Sequence, residues 1–167
     1  MEQSKEFRTA ELCDRFEDEL QVAEPILRSY GGEDSFSGPI VTVDTFEDNI
    51  LVRQSLAEPG EGRVLIVDSG GSLRRALLDD DLAALAQENG WSGIVVHGVI
   101  RDVKAVGDLS LGLLALGSSP LGALKKGRGL VDQPVHFAGV TFRPGYYLYA
   151  DADGVIVAPR DLLAASE

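Results

Sequence analysis

The sequence has one cysteine, Cys13, two histidines, one tryptophan and one methionine. A single cysteine excludes an internal disulfide and any cysteine zinc cluster, and it leads us to expect a reduced, cytoplasmic setting. No histidine cluster, HExxH or GxSxG is available for zinc or serine chemistry, and Walker A and GxGxxG loops are missing. Basic charge is scarce: 15 Lys and Arg stand against 27 Asp and Glu, a net charge of −12. That balance argues against a grip on nucleic-acid phosphates, which needs a basic face, and suits a basic protein partner. No apolar run nears the ~20 residues of a membrane span, and the charged stretch MEQSKEFRTAELCDRFEDEL has no signal-peptide core.

What is present fits one domain over residues 1–167, with 44% hydrophobic and 25% charged residues. Residues 1–8 read as a loose lead, and Thr9 as the N-cap of a short helix. A Gly/Ser-rich loop covers 31–38. The run PIVTV at 39–43 reads as a strand, and 47–57 as a helix ended by Pro59-Gly60. VLIV at 64–67 is a second strand, 80–89 a helix with Gly90 past its end, and 93–100 a third strand. A short helix at 103–108 and a strand at 112–116 follow. Unbroken apolar strands alternating with helices indicate an α/β fold with a buried, partly parallel sheet. The tail differs: 136–138, 140–142, 146–149 and 155–157 are short strands between turns, an antiparallel layer added to the α/β part. Between the two parts, KKGRG at 125–129 reads as an exposed basic loop.

Three places draw chemical attention. The turn Asp68-Ser69-Gly70-Gly71-Ser72 is either a tight strand-to-loop turn or a cradle of N–H groups for an anion. Asp79-Asp80-Asp81 opens a helix, where acids cap donors and oppose the dipole, or where the helix start receives a ligand anion. In GIVVHGVIRDV, residues 93–103, Arg101 and Asp102 follow a buried strand at the end where α/β proteins collect ligands. Asp102 as a helix cap, with Arg101 paired to a nearby acid, is the competing account. His97 and His136 lie on apolar strands and read as packed or surface residues. Cys13 sits among acids, a poor setting for a thiolate. Asp151-Ala152-Asp153-Gly154 lacks the twelfth-position Glu of a calcium loop and reads as a hairpin turn. Any bound metal should be hard and oxygen-liganded, Mg²⁺ or Mn²⁺.

Together ELCD (11–14), FEDN (46–49), RVLIVDSGGSLRRALL (63–78), GWSGIVVHGVIRDV (90–103) and GVTFRPGYYLYADADGVIV (139–157) resemble the regulator of ribonuclease activity A (RraA) family. That family includes the metal-dependent 4-hydroxy-4-methyl-2-oxoglutarate aldolases. The resemblance implies a swivelling β/β/α sandwich and a homotrimer, with pairing into hexamers left open. It also implies sites in clefts between subunits. The aldolase branch is marked by an acid, twenty residues, then Arg-Asp, a pattern met here by Asp80 and Arg101-Asp102. By resemblance, Asp102 holds Mg²⁺ or Mn²⁺, Arg101 contacts the keto oxygen, and the backbone at Asp79, Asp80, Asp81 and Leu82 receives the pyruvyl carboxylate. The implied reaction is aldol cleavage of 4-hydroxy-4-methyl-2-oxoglutarate, or of 4-carboxy-4-hydroxy-2-oxoadipate, to pyruvate. Oxaloacetate decarboxylation would proceed through the same enolate. Where the aldolases generally carry Gly, this chain has Asp79. The SLRRALL segment is closer to the branch that binds RNase E and damps RNA turnover, which gives the alternative function. An older reading of the family as menaquinone methyltransferases finds no nucleotide loop here.

Overall fold

The computed structural model describes residues 6–164. In chain order the elements are α1 (Thr9–Phe16), a 3₁₀ turn (Glu17–Glu19), β1 (Gln21–Val22), β2 (Arg28–Ser29), β3 (Phe36–Asp44), α2 (Ile50–Leu56), β4 (Val64–Asp68), β5 (Ala76–Leu78) and α3 (Asp80–Glu88). They continue with β6 (Gly93–Ile100), α4 (Val103–Val106), β7 (Gly112–Ser118), β8 (Leu130–Val131), β9 (Val135–Phe137), β10 (Val140–Phe142), β11 (Tyr147–Asp151) and β12 (Gly154–Ala158).

The main sheet runs β1-β12-β11-β3-β4-β6-β7-β2. Strands β3, β4, β6 and β7 are parallel, and β11 and β12 join antiparallel. The long β3 connects the two parts. Its first half pairs with β11, and from Ile40 onward its partner is β4. The changeover falls at Gly38-Pro39, where a Cβ on Gly38 would lie 2.0 Å from the Gly62 carbonyl oxygen. Pairing with β11 draws residues 36–38 out of the expected Gly/Ser loop and into the strand.

Side-chain alternation then stacks the layers. Leu65, Val67, Ile94, Val96, Leu113 and Ala115 face the helices, against Leu56, Leu82, Ala83 and Ala86. Val64, Ile66, Val95 and Leu114 face the tail, against Phe137, Phe142, Leu148, Ala150, Val155 and Val157. The far side of the tail carries Tyr149, Ile156 and Ala158 against Leu12 of α1. Each fully buried Leu, Ile or Val contributes ~1.5–3 kcal/mol of transfer free energy. The expected α/β fold, a β/β/α sandwich with antiparallel tail strands, is the one that forms.

Some local expectations are corrected. Thr9 is the first residue of α1 rather than its cap, because its N–H and hydroxyl both donate to Asp151, at 2.8 and 2.6 Å. Residues 1–5 of the expected lead lie outside the described residues, while Phe7 packs edge-on against Tyr149. The helix expected from 47 begins at Ile50, because Glu47 takes a left-handed turn at φ 58° and Asp48 caps Ile50 N–H. Asp151 and Gly154 do close a hairpin between β11 and β12.

Candidate active site

The site residues come from two neighbouring segments at the carboxyl end of the parallel strands. β5 pairs with the last residues of β6, and Arg101 N–H donates to the Leu78 carbonyl. The start of α3 is thereby held beside the end of β6. Asp79, Asp80, Asp81 and Leu82 thus meet Arg101 and Asp102, although twenty residues lie between Asp80 and Arg101.

Asp79 is the N-cap of α3, its carboxylate accepting from Leu82 N–H at 2.9 Å. Its other oxygen lies 3.9 Å from the Arg101 guanidinium. Asp102 precedes α4 with φ 58° and ψ 39°, and its side chain makes no capping bond to that helix. A left-handed aspartate is uncommon and carries some backbone strain. Here it turns the carboxylate back toward α3, where it accepts from Asp80 N–H at 3.3 Å. The helix-cap account of Asp102 therefore fails, and the pairing of Arg101 with an acid holds only loosely.

The Asp80 carboxyl is held above its ordinary value, first by a hydrogen bond with the Asp102 side chain, then by burial, then by the charges of Asp102 and Asp81. Two carboxylates share this corner, and a cation bound between them would relieve their repulsion. Among the described residues no three His, Cys, Asp or Glu side chains converge as a metal cluster. The donor set is one or two exposed carboxylate oxygens. It suits a hard ion that keeps most of its waters, as Mg²⁺ does, and does not suit zinc.

Two N–H groups at the start of α3 are already met by the chain itself: Asp80 by Asp102 and Leu82 by Asp79. A ligand carboxylate arriving here replaces one of these contacts.

The turn after β4 behaves differently. Ser69 and Gly71 N–H donate to the His97 carbonyl and Gly70 N–H to the Asp68 carboxylate. Its donors are spent inside the protein, so of the two accounts of this turn the tight structural turn is the one that forms. His97 pairs with Asp68 at 2.9 Å and stacks on Phe137, and His136 pairs with Thr141. The Cys13 thiol is pushed up by burial and by Asp14, Asp151 and Glu17, which suits an unreactive residue.

Two polar groups escaped the sequence reading. Glu47 is buried, bonded by the Ser72 hydroxyl and 3.7 Å from Arg74. Asp48 is buried and accepts from Ile50, Lys126 and Gly127 N–H, anchoring the basic loop. FEDN shows acids but not these partners, which lie up to 79 residues away.

No helix among the described residues is long and apolar enough to cross a membrane. Comparison with known proteins adds identity. A protein of Aromatoleum aromaticum named as a 4-hydroxy-4-methyl-2-oxoglutarate aldolase is 54% identical over 158 residues, 95% of this chain and 99% of that protein. One of Laribacter hongkongensis with the same name is 56% identical over 95% of this chain and 99% of its own length. The solved S-adenosylmethionine:2-dimethylmenaquinone methyltransferase of Geobacillus kaustophilus is 52% identical, with a TM-score of 0.94 over 96% of this chain and 100% of that one. The RNA-processing inhibitor RraA of Thermus thermophilis is 43% identical, with a TM-score of 0.93 over 98% and 99% of the two chains. Residues 9–157 match the family model described as RraA-like, Aldolase/RraA, and the chain belongs to that family.

Proposed function

We propose that the protein is a divalent-metal-dependent lyase. It cleaves 4-hydroxy-4-methyl-2-oxoglutarate, or the related 4-carboxy-4-hydroxy-2-oxoadipate, to release pyruvate, and it decarboxylates oxaloacetate as a side activity. The observation that carries this reading is the Asp102 carboxylate turned away from its own helix, beside Arg101 and the start of α3. The names of relatives more than half identical to this chain support it.

In this reading Asp102 holds Mg²⁺ or Mn²⁺, which supplies Lewis acidity toward the 2-oxo group. The substrate's pyruvyl carboxylate takes N–H groups of residues 80–82, displacing the Asp79 carboxylate from Leu82. Arg101 donates to the keto oxygen. When the 4-hydroxyl gives its proton to a water and the C3–C4 bond breaks, C4 becomes the carbonyl of the second product, and the electron pair of that bond leaves pyruvate as its enolate, which takes a proton from water at C3. Arg101 meets the negative charge where it develops, an effect typically worth ~10²–10³ in turnover. A guanidinium is charged at any working pH and offers a planar fork of donors.

We also propose that the protein works as a homotrimer. Phe46, Leu73, Leu121 and Leu130 are exposed large apolar side chains at the carboxyl ends of the parallel strands, the same end as Arg101. Light scattering at micromolar concentration tests this, and a monomer would refute it. The activity test couples pyruvate release to NADH oxidation by lactate dehydrogenase, with and without Mg²⁺. No metal-dependent release from the hydroxy-oxo acids or from oxaloacetate would reject the lyase.

A second reading, a protein that binds RNase E and restrains RNA turnover, draws on the likeness to the Thermus inhibitor and the net charge of −12. A pull-down with the C-terminal half of RNase E at moderate salt tests it, and no complex at micromolar concentration would exclude it.

A further inference from the structure

The guanidinium of Arg101 rests on segment 119–122, and that segment has an unusual support. Arg101 donates to the Pro120 carbonyl at 3.3 Å. A Cβ on Gly122 would lie 3.0 Å from Arg101 Nη1 and 3.3 Å from its Cζ and Nη2. The missing side chain at 122 is therefore what lets the guanidinium lie flat there.

A second arginine holds the same glycine by its carbonyl. Arg75 Nη1 donates to the Gly122 carbonyl at 2.9 Å. Around it, Ala76 N–H donates to the Leu121 carbonyl and the Ser119 hydroxyl to the Arg74 carbonyl. Ser119 N–H donates to the Ile100 carbonyl, which ties the segment to the end of β6 as well. Arg75 Nε is buried and has no hydrogen-bond partner among the described residues. A half-buried cation with an unspent donor is a costly way to hold one carbonyl, since a neutral donor could do so without that penalty. Two guanidiniums thus meet one glycine, Arg75 at its carbonyl and Arg101 where its side chain would stand, and Arg101 lies 3.9 Å from the Asp79 carboxylate at the start of α3.

We propose that Arg75 and Gly122 form the seat that sets the position of the Arg101 guanidinium. They are positioning residues for the reaction, acting through Arg101 without touching substrate. This inference rests on the lyase reading above, and its test must separate the two. The full-length protein is compared with Arg75→Met, Arg75→Lys and Gly122→Ala. Pyruvate release from oxaloacetate, Mn²⁺ binding by electron paramagnetic resonance, and binding of oxalate in the presence of Mg²⁺ by calorimetry are measured on each.

The seat predicts that kcat falls in Arg75→Met and Gly122→Ala by roughly tenfold to a hundredfold, the range expected when a reacting group shifts by about an ångström. Oxalate binding weakens in parallel, Mn²⁺ binding is unchanged, and Arg75→Lys recovers part of the loss. Gly122→Ala keeps Arg75 and changes only the room beside Arg101, so it covers the case in which Arg75→Met fails to fold. If the wild type releases pyruvate and binds oxalate, and Gly122→Ala does both equally well, the seat is wrong. If the wild type does neither, the lyase reading fails and takes the seat with it.

Discussion

The turns after β4 and β6 leave neighbouring parallel strands at the same end of the sheet, yet they treat their polar groups in opposite ways. After β4, Asp68 meets His97 and Gly70 N–H, Ser69 meets Glu47 N–H, and Ser72 meets the Glu47 carboxylate. His97 is further pinned by its stack on Phe137. After β6, Arg101 has a 3.3 Å contact with Pro120 and a 3.9 Å approach to Asp79, while Asp102 keeps a 3.3 Å contact with Asp80 from a left-handed backbone. Short, mutually satisfied bonds belong to a fold device, and long, partly satisfied ones leave room for a ligand to complete them. The glycine-rich turn after β4 offered N–H groups to an anion by residue type, and the structure spends them inside the protein.

The contrast can be broken from either side. The largest effect is expected at the second turn. Asp102→Ala should lower metal-dependent pyruvate release by ~10²–10³ or more, with little loss of melting temperature. Arg101→Met should cost ~10²–10³ in kcat and Arg101→Lys nearly as much, because a point charge does not replace the fork. Loss of folding rather than of rate in these variants, judged by circular dichroism, would return Arg101 and Asp102 to the structural class.

The buried acids should show the reverse pattern. Asp48→Ala leaves several backbone N–H groups without an acceptor and should cost ~1–3 kcal/mol in urea unfolding, with turnover per folded molecule close to wild type. Its carboxyl also gives a pH signature. Burial pushes it up, but N–H groups of Ile50, Lys126, Gly127 and Arg128 outweigh that and hold it below its ordinary 3.8. The stability it contributes is therefore fully present above the ordinary aspartate value and lost as pH falls through the lower folded value. Asp151, which burial raises but Thr9, Asp153 and Gly154 lower, adds in the same window. Acid unfolding should steepen below about pH 4 and flatten in Asp48→Asn.

A smaller effect should run opposite to most substitutions. Asp79 holds Leu82 N–H and stands near Arg101, the two groups that the proposed function gives to the substrate anion. Asp79→Gly should lower KM for oxaloacetate roughly twofold to fivefold, the effect of removing one nearby like charge, while costing a few tenths of a kcal/mol of helix stability. An unchanged or raised KM would show that the carboxylate does not compete with substrate.

Much of the fold was legible because the parallel strands are buried on both faces and read as unbroken apolar runs, as VLIV does. Strands β1, β2, β5 and β8 were not, since each is defined by its partner in the sheet and carries no periodicity of its own. At the site, the family spacing of Asp80 with Arg101 and Asp102 named the residues. The left-handed backbone of Asp102 and the self-occupation of the helix start have no sequence signal. Arg75 and Gly122 could not be paired from sequence, because nothing local in SLRRALL or in SSPLGAL points across their sequence separation of 47.

The central claim is that Asp102 makes this site a metal-dependent lyase centre. The most direct measurement is a Mg²⁺ titration of pyruvate release from 4-hydroxy-4-methyl-2-oxoglutarate, for wild type and Asp102→Asn side by side. Saturable activation in the wild type, absent in Asp102→Asn at matched folding, is the expected result. Equal release by the two proteins, or release indifferent to Mg²⁺ and chelator, would contradict it.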